Sequence, residues 1–227
     1  MNSVDIYGVT DTISSDSQYQ NALKTAFNAF KEAMEIFNDP KFESKEDWKK
    51  EAQSEGATVH SKYFDYGKSY GELQVRWDDM FREDWEDVNH ISDWNNNIAF
   101  AKIVHQITPN FDIVNYANND VMVVKGRDFV VARLKRTVNG SGYIVAKSID
   151  LPELPEIQNF VRGWIHLGAG RFAPHPTKPN VTIIDYIMCI DLKGYIPKML
   201  VNTVMAKLVL KDYEQNKLHF EKKGVKK

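Results

Sequence analysis

The chain has 227 residues, a formal net charge of −2 and a single cysteine. That length allows one large domain or two small ones, the charge balance gives no electrostatic footprint for nucleic acid, and the lone Cys189 excludes an internal disulfide framework and fits a reducing compartment. No apolar run approaches the roughly 20 residues of a membrane-spanning helix, and Met1-Asn2-Ser3-Val4-Asp5 lacks both the charged and apolar regions of a signal peptide and the Arg-rich character of a mitochondrial presequence. A cytoplasmic protein is expected, with membrane contact that is transient and peripheral.

Residues 1–13 read as an N-terminal tail. Ser14, Ser15 and Asp16 supply cap chemistry for a helix from Ser14 to Phe37, where Leu23, Ala26, Phe27, Phe30, Ala33, Met34 and Phe37 recur at helical spacing. Asn38-Asp39-Pro40 ends it. Trp48 to Ala52 reads as a short strand. Ala57 to Tyr66 alternates through Val59, Lys62 and Phe64, and Tyr70 to Trp77 carries Leu73, Val75 and Trp77 on one face; joined at Gly67-Lys68-Ser69, the two runs make a hairpin. Asp79 to Ile91 is an acidic helix with Met80, Trp85 and Val88 inward and Glu83, Asp84, Glu86 and Asp87 on a solvated face. Ser92-Asp93-Trp94-Asn95 breaks it.

The pattern then turns almost wholly to strands: Ile98 to Ile107, Phe111 to Ala117, Asp128 to Val138, Tyr143 to Ile149, Phe160 to His166 and Val181 to Asp191. Asn110, Asn139-Gly140 and the Gly168–Gly170 region mark turns. Cys189 lies in an apolar run and reads as a buried, inert thiol. Pro197 opens a long helix, Lys198 to Glu221, as a first-turn proline. Leu200, Val204, Leu208, Lys211, Gln215 and Leu218 trace one line along it. The basic end, with Lys217, Lys222, Lys223, Lys226 and Lys227, reads as a solvated terminus that complements the helix dipole or as a weak attraction to anionic lipid.

One strand carries a charge where an apolar residue is expected. Val130, Ala132 and Leu134 share one face; Phe129, Val131 and Arg133 share the other. A buried guanidinium is costly unless it is paired or used, so Arg133 either snorkels to an edge, meets a structural carboxylate or reads a ligand. The stretch Val121-Met122-Val123-Val124 places four consecutive apolar residues between two strands. It reads as an unrecognised strand extension or as an apolar lid.

Catalytic and metal signatures are missing from the sequence. The six histidines, His60, His90, His105, His166, His175 and His219, show no metal-ligand spacing. Gly140-Ser141-Gly142 is not a nucleophile elbow, and there is no phosphate loop or dinucleotide fingerprint. Neither a cofactor nor a metal is expected.

The element order and three motifs resemble the START (steroidogenic acute regulatory protein-related lipid transfer) domain family, and within it the sterol-binding branch. The motifs are Gly126-Arg127-Asp128-Phe129, where the family usually has proline first; Phe160-Val161-Arg162-Gly163; and Ile190-Asp191-Leu192-Lys193-Gly194-Tyr195-Ile196-Pro197 ahead of the last helix. Trp94-Asn95 and the helix before it also fit, whereas the resemblance fades before about Tyr70. It implies an α+β helix-grip fold: a curved antiparallel sheet wrapped on a long C-terminal helix around an internal lipid tunnel. The implied domain is 14–222, with 223–227 as a basic tail.

The resemblance also implies a lid at Val121, Met122, Val123 and Val124, and a role for Arg133 beside a buried acid on the neighbouring strand. Counting forward from Trp94 puts that acid position on Tyr116, which cannot neutralise a guanidinium. Asp185, within an apolar run, is then the first candidate partner, with Asp112 and Asp120 behind it. An unmatched Arg133 would favour an anionic head group. Asn95 is either a tunnel residue or a backbone cap. The expected ligand-binding set is Arg133, Tyr116, Asn95, Ile91, Asp185, Met188, Val204 and Leu208. The function implied is that of a monomeric carrier moving one lipid between membranes, sterol first. The alternatives are a phospholipid, fatty-acid or carotenoid carrier, a lipid-sensing module, or a cyclase-like enzyme using His105 with Tyr116.

Overall fold

The computed structural model of the protein describes residues 2–62 and 66–224. In chain order these form β1 (Ser3–Ile6), β2 (Val9–Thr12), α1 (Gln20–Phe37), α2 (Pro40–Ser44), β3 (Lys49–Ser54), β4 (Ala57–Lys62), β5 (Tyr66–Leu73) and α3 (Trp77–Glu86). A 3-10 turn (Val88–Asp93) leads to β6 (Ile98–Thr108), β7 (Phe111–Asn118), β8 (Arg127–Val138), β9 (Ser141–Ser148), β10 (Val161–Arg162), β11 (Trp164–Pro174), β12 (Thr182–Asp191) and α4 (Lys198–Gly224). The main sheet runs β3-β4-β5-β12-β11-β9-β8-β7-β6 with antiparallel neighbours, and β10 pairs alongside β8 in parallel. No helix among the described residues is long and apolar enough to cross a membrane.

Side-chain alternation gives each strand two destinations. Val130, Ala132 and Leu134 of β8, Ile113 of β7 and Ile187 of β12 pack with Leu23, Phe30, Ala33 and Phe37 of α1. Phe129 and Val131 of β8 and Val114 of β7 face the other way, toward Leu192 and toward Val201 and Met205 of α4. The sheet thus lies between α1 and α4, which is the helix-grip arrangement. Its apolar strands are buried on both faces, so β8 reads as a continuous buried run.

Several boundaries differ from those expected. The N-terminal stretch is not a loose tail: β1 and β2 pair as a hairpin, Val4 and Ile6 are buried, and Asp11 forms a buried ion pair with Arg136 at 2.6 Å. Helix α1 begins at Gln20, because Ser14 bonds to Asp16 rather than capping it. Gly67, Lys68 and Ser69 lie inside β5 and not in a turn; the link from β4, with Phe64, falls outside the described residues. Trp77 starts α3 instead of ending a strand, and the acidic helix is two pieces, α3 and the 3-10 turn. Gly168 and Gly170 sit within β11, where Gly170 leaves room for the Tyr186 and Phe172 rings. Lys226 and Lys227 lie outside the described residues.

The three motifs of the resemblance meet in space. Arg127 donates from Nε to the Leu192 carbonyl (2.9 Å) and from a terminal nitrogen to that of Lys193 (3.1 Å), joining the first motif to the third. Arg162 donates to Asp128 at 2.9 Å, joining the second to the first. Gly126 has a packing reason: a β-carbon there would lie 2.5 Å from the Asn118 carbonyl and 2.9 Å from the Phe160 ring. A proline at this position would need Phe160 or the β7 end to move.

Helix α4 is held at its C-terminal half. The Tyr213 ring fills the notch over Gly56 and Gly71, and its hydroxyl donates to the Glu72 carbonyl at 2.7 Å. Trp94 stacks on His219 with ring centroids 4.0 Å apart, Phe220 is buried, and Lys223 pairs with Glu83 at 2.5 Å.

Candidate ligand cavity

Between the sheet and α4 lie two chambers of about 210 Å³ each, joined at Ile98, Tyr116 and Asp212, which border both. Together they reach the roughly 300–1,000 Å³ typical of small-molecule sites. The first is apolar: Ile184, Met188 and Ile190 of β12 face Val204, Met205 and Leu208 of α4. The second reaches toward α3, and its wall holds Ile91, Val114 and Val131 beside Asp84, Arg133, Tyr116 and Asp212. One end is therefore oily and the other polar, the division an amphiphile requires. A further groove of about 700 Å³ runs along the other flank of α4, past Val201, Met205 and Val209.

The loop after β7 borders the apolar chamber. Val121 and Val124 form a two-bond backbone bridge (2.9 and 3.0 Å) and both line the chamber. Met122, at positive φ, and Val123 form the tip, 57% and 85% exposed. The four apolar residues thus divide into two that face the cavity and two that face outward. Lys207 of α4 approaches the Met122 sulfur at 3.5 Å.

Arg133 is neutralised, and by Asp112. The two residues are direct partners across β7 and β8, and the guanidinium donates from Nε (2.9 Å) and from a terminal nitrogen (2.6 Å) to the two carboxylate oxygens. It also donates to the carbonyls of Asp84 (3.2 Å) and Trp85 (3.1 Å) and stacks 4.5 Å from the Trp85 ring centroid. Those carbonyls belong to the last turn of α3, where the helix leaves acceptors unmet and its dipole is negative. Four of the five guanidinium donors are thereby used, which leaves no unmatched charge for an anionic head group.

Two other expectations for this pair fail for the same reason, strand register. Tyr116 lies opposite Phe129, not Arg133. Asp185 shares its strand face with Ile187, against α1, and pairs with Arg171 at 2.6 Å over the Phe37 and Phe42 rings. Asp185 is buried, but it lies on the opposite side of the sheet from the cavity.

Of the remaining expected residues, Tyr116 borders both chambers, Met188, Val204 and Leu208 line the first, and Ile91 and Arg133 line the second. Asn95 takes the capping role and lines neither chamber. Its Oδ1 accepts from the Asn97 backbone at 3.0 Å, and its Nδ2 donates to Asp212 of α4 at 2.5 Å. His105 does not join Tyr116: it bonds to Glu153 at 2.6 Å and rests against Tyr19 of the α1 entry, away from the cavity.

Sequence reasoning missed Asp84 and Asp212. The sequence pattern puts Asp84 on a solvated face, yet it borders the second chamber and meets the Tyr186 hydroxyl at 3.4 Å. Burial, with Asp212 nearby, pushes its carboxyl up to about 7 despite Arg133. Burial also raises Asp212, against the opposing effect of Asn95. The phenols of Tyr116 and Tyr186 are raised by burial and by these carboxylates. The available signal was position: Asp212 falls four residues after Leu208 on the cavity-facing line, and Asp84 four after Met80.

The START domain family profile matches residues 28–224, most of the chain. The chain belongs to the START domain family. This START domain is 40% identical over 223 residues to the steroidogenic acute regulatory-like protein 1 of Caenorhabditis elegans, covering 95% of the chain and 86% of that relative. It is 28% identical over 173 residues to the mitochondrial steroidogenic acute regulatory protein of Homo sapiens, and it spans 60% of that protein's length. The solved human StAR-related lipid transfer protein 5 superposes with a TM-score of 0.73 at 20% identity, covering 87% of this chain and 95% of that one, and thus shares the fold.

Proposed function

We propose that this START domain binds one lipid in the two-chambered cavity and carries it between membranes, with a sterol as first ligand. The observation that carries this reading is the cavity's polarity gradient, from the aliphatic wall of Met188, Val204 and Leu208 to the polar end at Tyr116, Arg133 and Asp212. Removing apolar lipid surface from water contributes roughly 25 cal/mol per Å², and the polar end supplies orientation. The 40% identity to a steroidogenic acute regulatory-like protein supports the sterol choice. The exposed Met122-Val123 tip beside α4 is the membrane contact, brief and peripheral, made by a cytoplasmic monomer.

A binding role is favoured over catalysis by one placement: His105 and Tyr116, the pair an enzyme reading requires, lie on opposite sides of the sheet. The test is to identify lipid that co-purifies with the protein by mass spectrometry, then to follow sterol and phospholipid transfer between vesicles. Sterol bound and moved is the expected result. Phospholipid moved without sterol overturns the sterol assignment, and no lipid moved overturns the carrier role.

A further inference from the structure

The polar end of the cavity holds more negative than positive charge. Arg133 is matched by Asp112, and His219 and Lys223 of α4 are matched by Glu83. Asp84 of α3 and Asp212 of α4 border the same chamber, with the Tyr116 and Tyr186 phenols beside them, and neither carboxylate has an ion pair among the described residues. Asp84 meets only a long contact from Tyr186, at 3.4 Å; Asp212 accepts from Asn95 at 2.5 Å and, at the long distance of 3.5 Å, from Asn216. A second feature points the same way. Tyr116 borders both chambers, and its hydroxyl has no hydrogen-bond partner among the described residues. A donor and two acceptors are thus presented with their hydrogen bonds incomplete, a costly arrangement inside a protein unless an occupant completes it.

We propose that Asp84 and Asp212 are the head-group reader of this cavity, selecting an amphiphile whose polar end donates hydrogen bonds, a hydroxyl or a protonated amine, over one ending in a carboxylate or phosphate. This rests on the lipid-binding reading above and narrows it. A hydroxyl donates to one carboxylate and accepts from Tyr116; an ammonium donates to both carboxylates. An anion meets like charge in an enclosure where Arg133 is already neutralised. Since the Asp84 carboxyl is raised to about 7, discrimination against anions sharpens as pH rises from 6 to 8; Glu83, Asp87, Arg133 and the Tyr116 phenol are the other ionisable groups lining the chamber, with Tyr186 beside Asp84 and His219 stacked behind Trp94.

The experiment compares one chain length with three head groups. Equilibrium binding of radiolabelled octadecanol, octadecylamine and stearate to the full chain is measured at pH 6 and pH 8. The expected result is alcohol and amine binding at least tenfold tighter than stearate, with the gap widening at pH 8. In Asp84→Asn/Asp212→Asn the gap falls below threefold and loses its pH dependence; either single variant, which removes one buried carboxylate, serves if the double fails to fold by circular dichroism. Stearate bound as tightly as alcohol and amine overturns the selection while leaving the lipid cavity intact. A folded protein that binds none of the three overturns the lipid reading itself, and a gap that survives the substitutions overturns the assignment to these two residues.

Discussion

Asp112 lies directly across the ladder from Arg133, and the pair shares two hydrogen bonds of 2.9 and 2.6 Å at full burial of the carboxylate. Because the same guanidinium also meets the carbonyls that end α3, the pair ties β7, β8 and α3 together. Removing one member leaves a buried charge without its counterpart. Asp112→Ala is therefore expected to cost about 3–5 kcal/mol, read as a large fall in the unfolding midpoint. Asp112→Leu/Arg133→Met, which removes both charges, recovers most of the loss. An Asp112→Ala protein as stable as the parent contradicts this role.

Asp185 and Arg171 make the corresponding pair on the α1 side. Asp185→Asn lowers stability by about 1–3 kcal/mol, the scale of a weakened buried charge-assisted bond, and leaves lipid affinity of the folded protein unchanged. Met188→Asp, three residues further along the same strand and facing the cavity, has the opposite signature and removes lipid binding. Parallel melting and binding measurements on the two variants check the face assignment of β12.

Val123 is 85% exposed at the tip of the loop between β7 and β8. A substitution there touches no core, so Val123→Asp changes stability by less than about 0.5 kcal/mol. If the tip meets the bilayer, the same substitution slows vesicle-to-vesicle transfer at least tenfold, with equilibrium lipid affinity retained. A transfer rate equal to the parent's removes the tip from the membrane contact.

Asp84 sets a pH dependence of stability. Its carboxyl is raised from 3.8 to about 7 in the folded chain, chiefly by burial. Between these values the unfolded chain has released this proton and the folded chain still holds it, so this group's contribution to stability falls as pH rises from about 4 to 7 and then stays low. Asp84→Asn is expected to melt above the parent at pH 7.5 and to converge with it near pH 4. Thermal unfolding across that range checks the sign.

The fold was legible where the pattern is periodic and buried. The α1 stripe from Leu23 to Phe37, the alternation of β8 and the Pro197 helix start need no tertiary information, and the three motifs give the order of the second half. What stayed hidden depended on register. The sequence shows an arginine needing an acid, and Asp112, Asp120 and Asp185 all answer that description; which one faces it follows from the ladder pairing of Asp112 with Arg133. Asp84 was hidden for a different reason. An acidic helix surface looks solvated until a second helix covers it, and α4 arrives from more than a hundred residues away along the chain. The β1–β2 hairpin escaped notice because its strands are short and polar, held by Val4, Ile6 and the Asp11–Arg136 pair rather than by an apolar run.

Tyr213 in its glycine notch divides α4 mechanically. The polar ties described above, at Asp212, Tyr213, His219 and Lys223, lie in its C-terminal half. Ahead of them, Met205 and Val209 have open volume on both flanks, the apolar chamber on one side and the long groove on the other. Such a helix behaves as a lever with its fulcrum at Tyr213. Tilting its free arm costs apolar contact, which a bilayer surface would return in kind in the proposed carrier, while the fulcrum itself keeps Asn95 on Asp212. In the proposed carrier the loading door would then lie ahead of the pivot and the polar end of the cavity at it, so a ligand would enter without loosening the groups proposed to read its head.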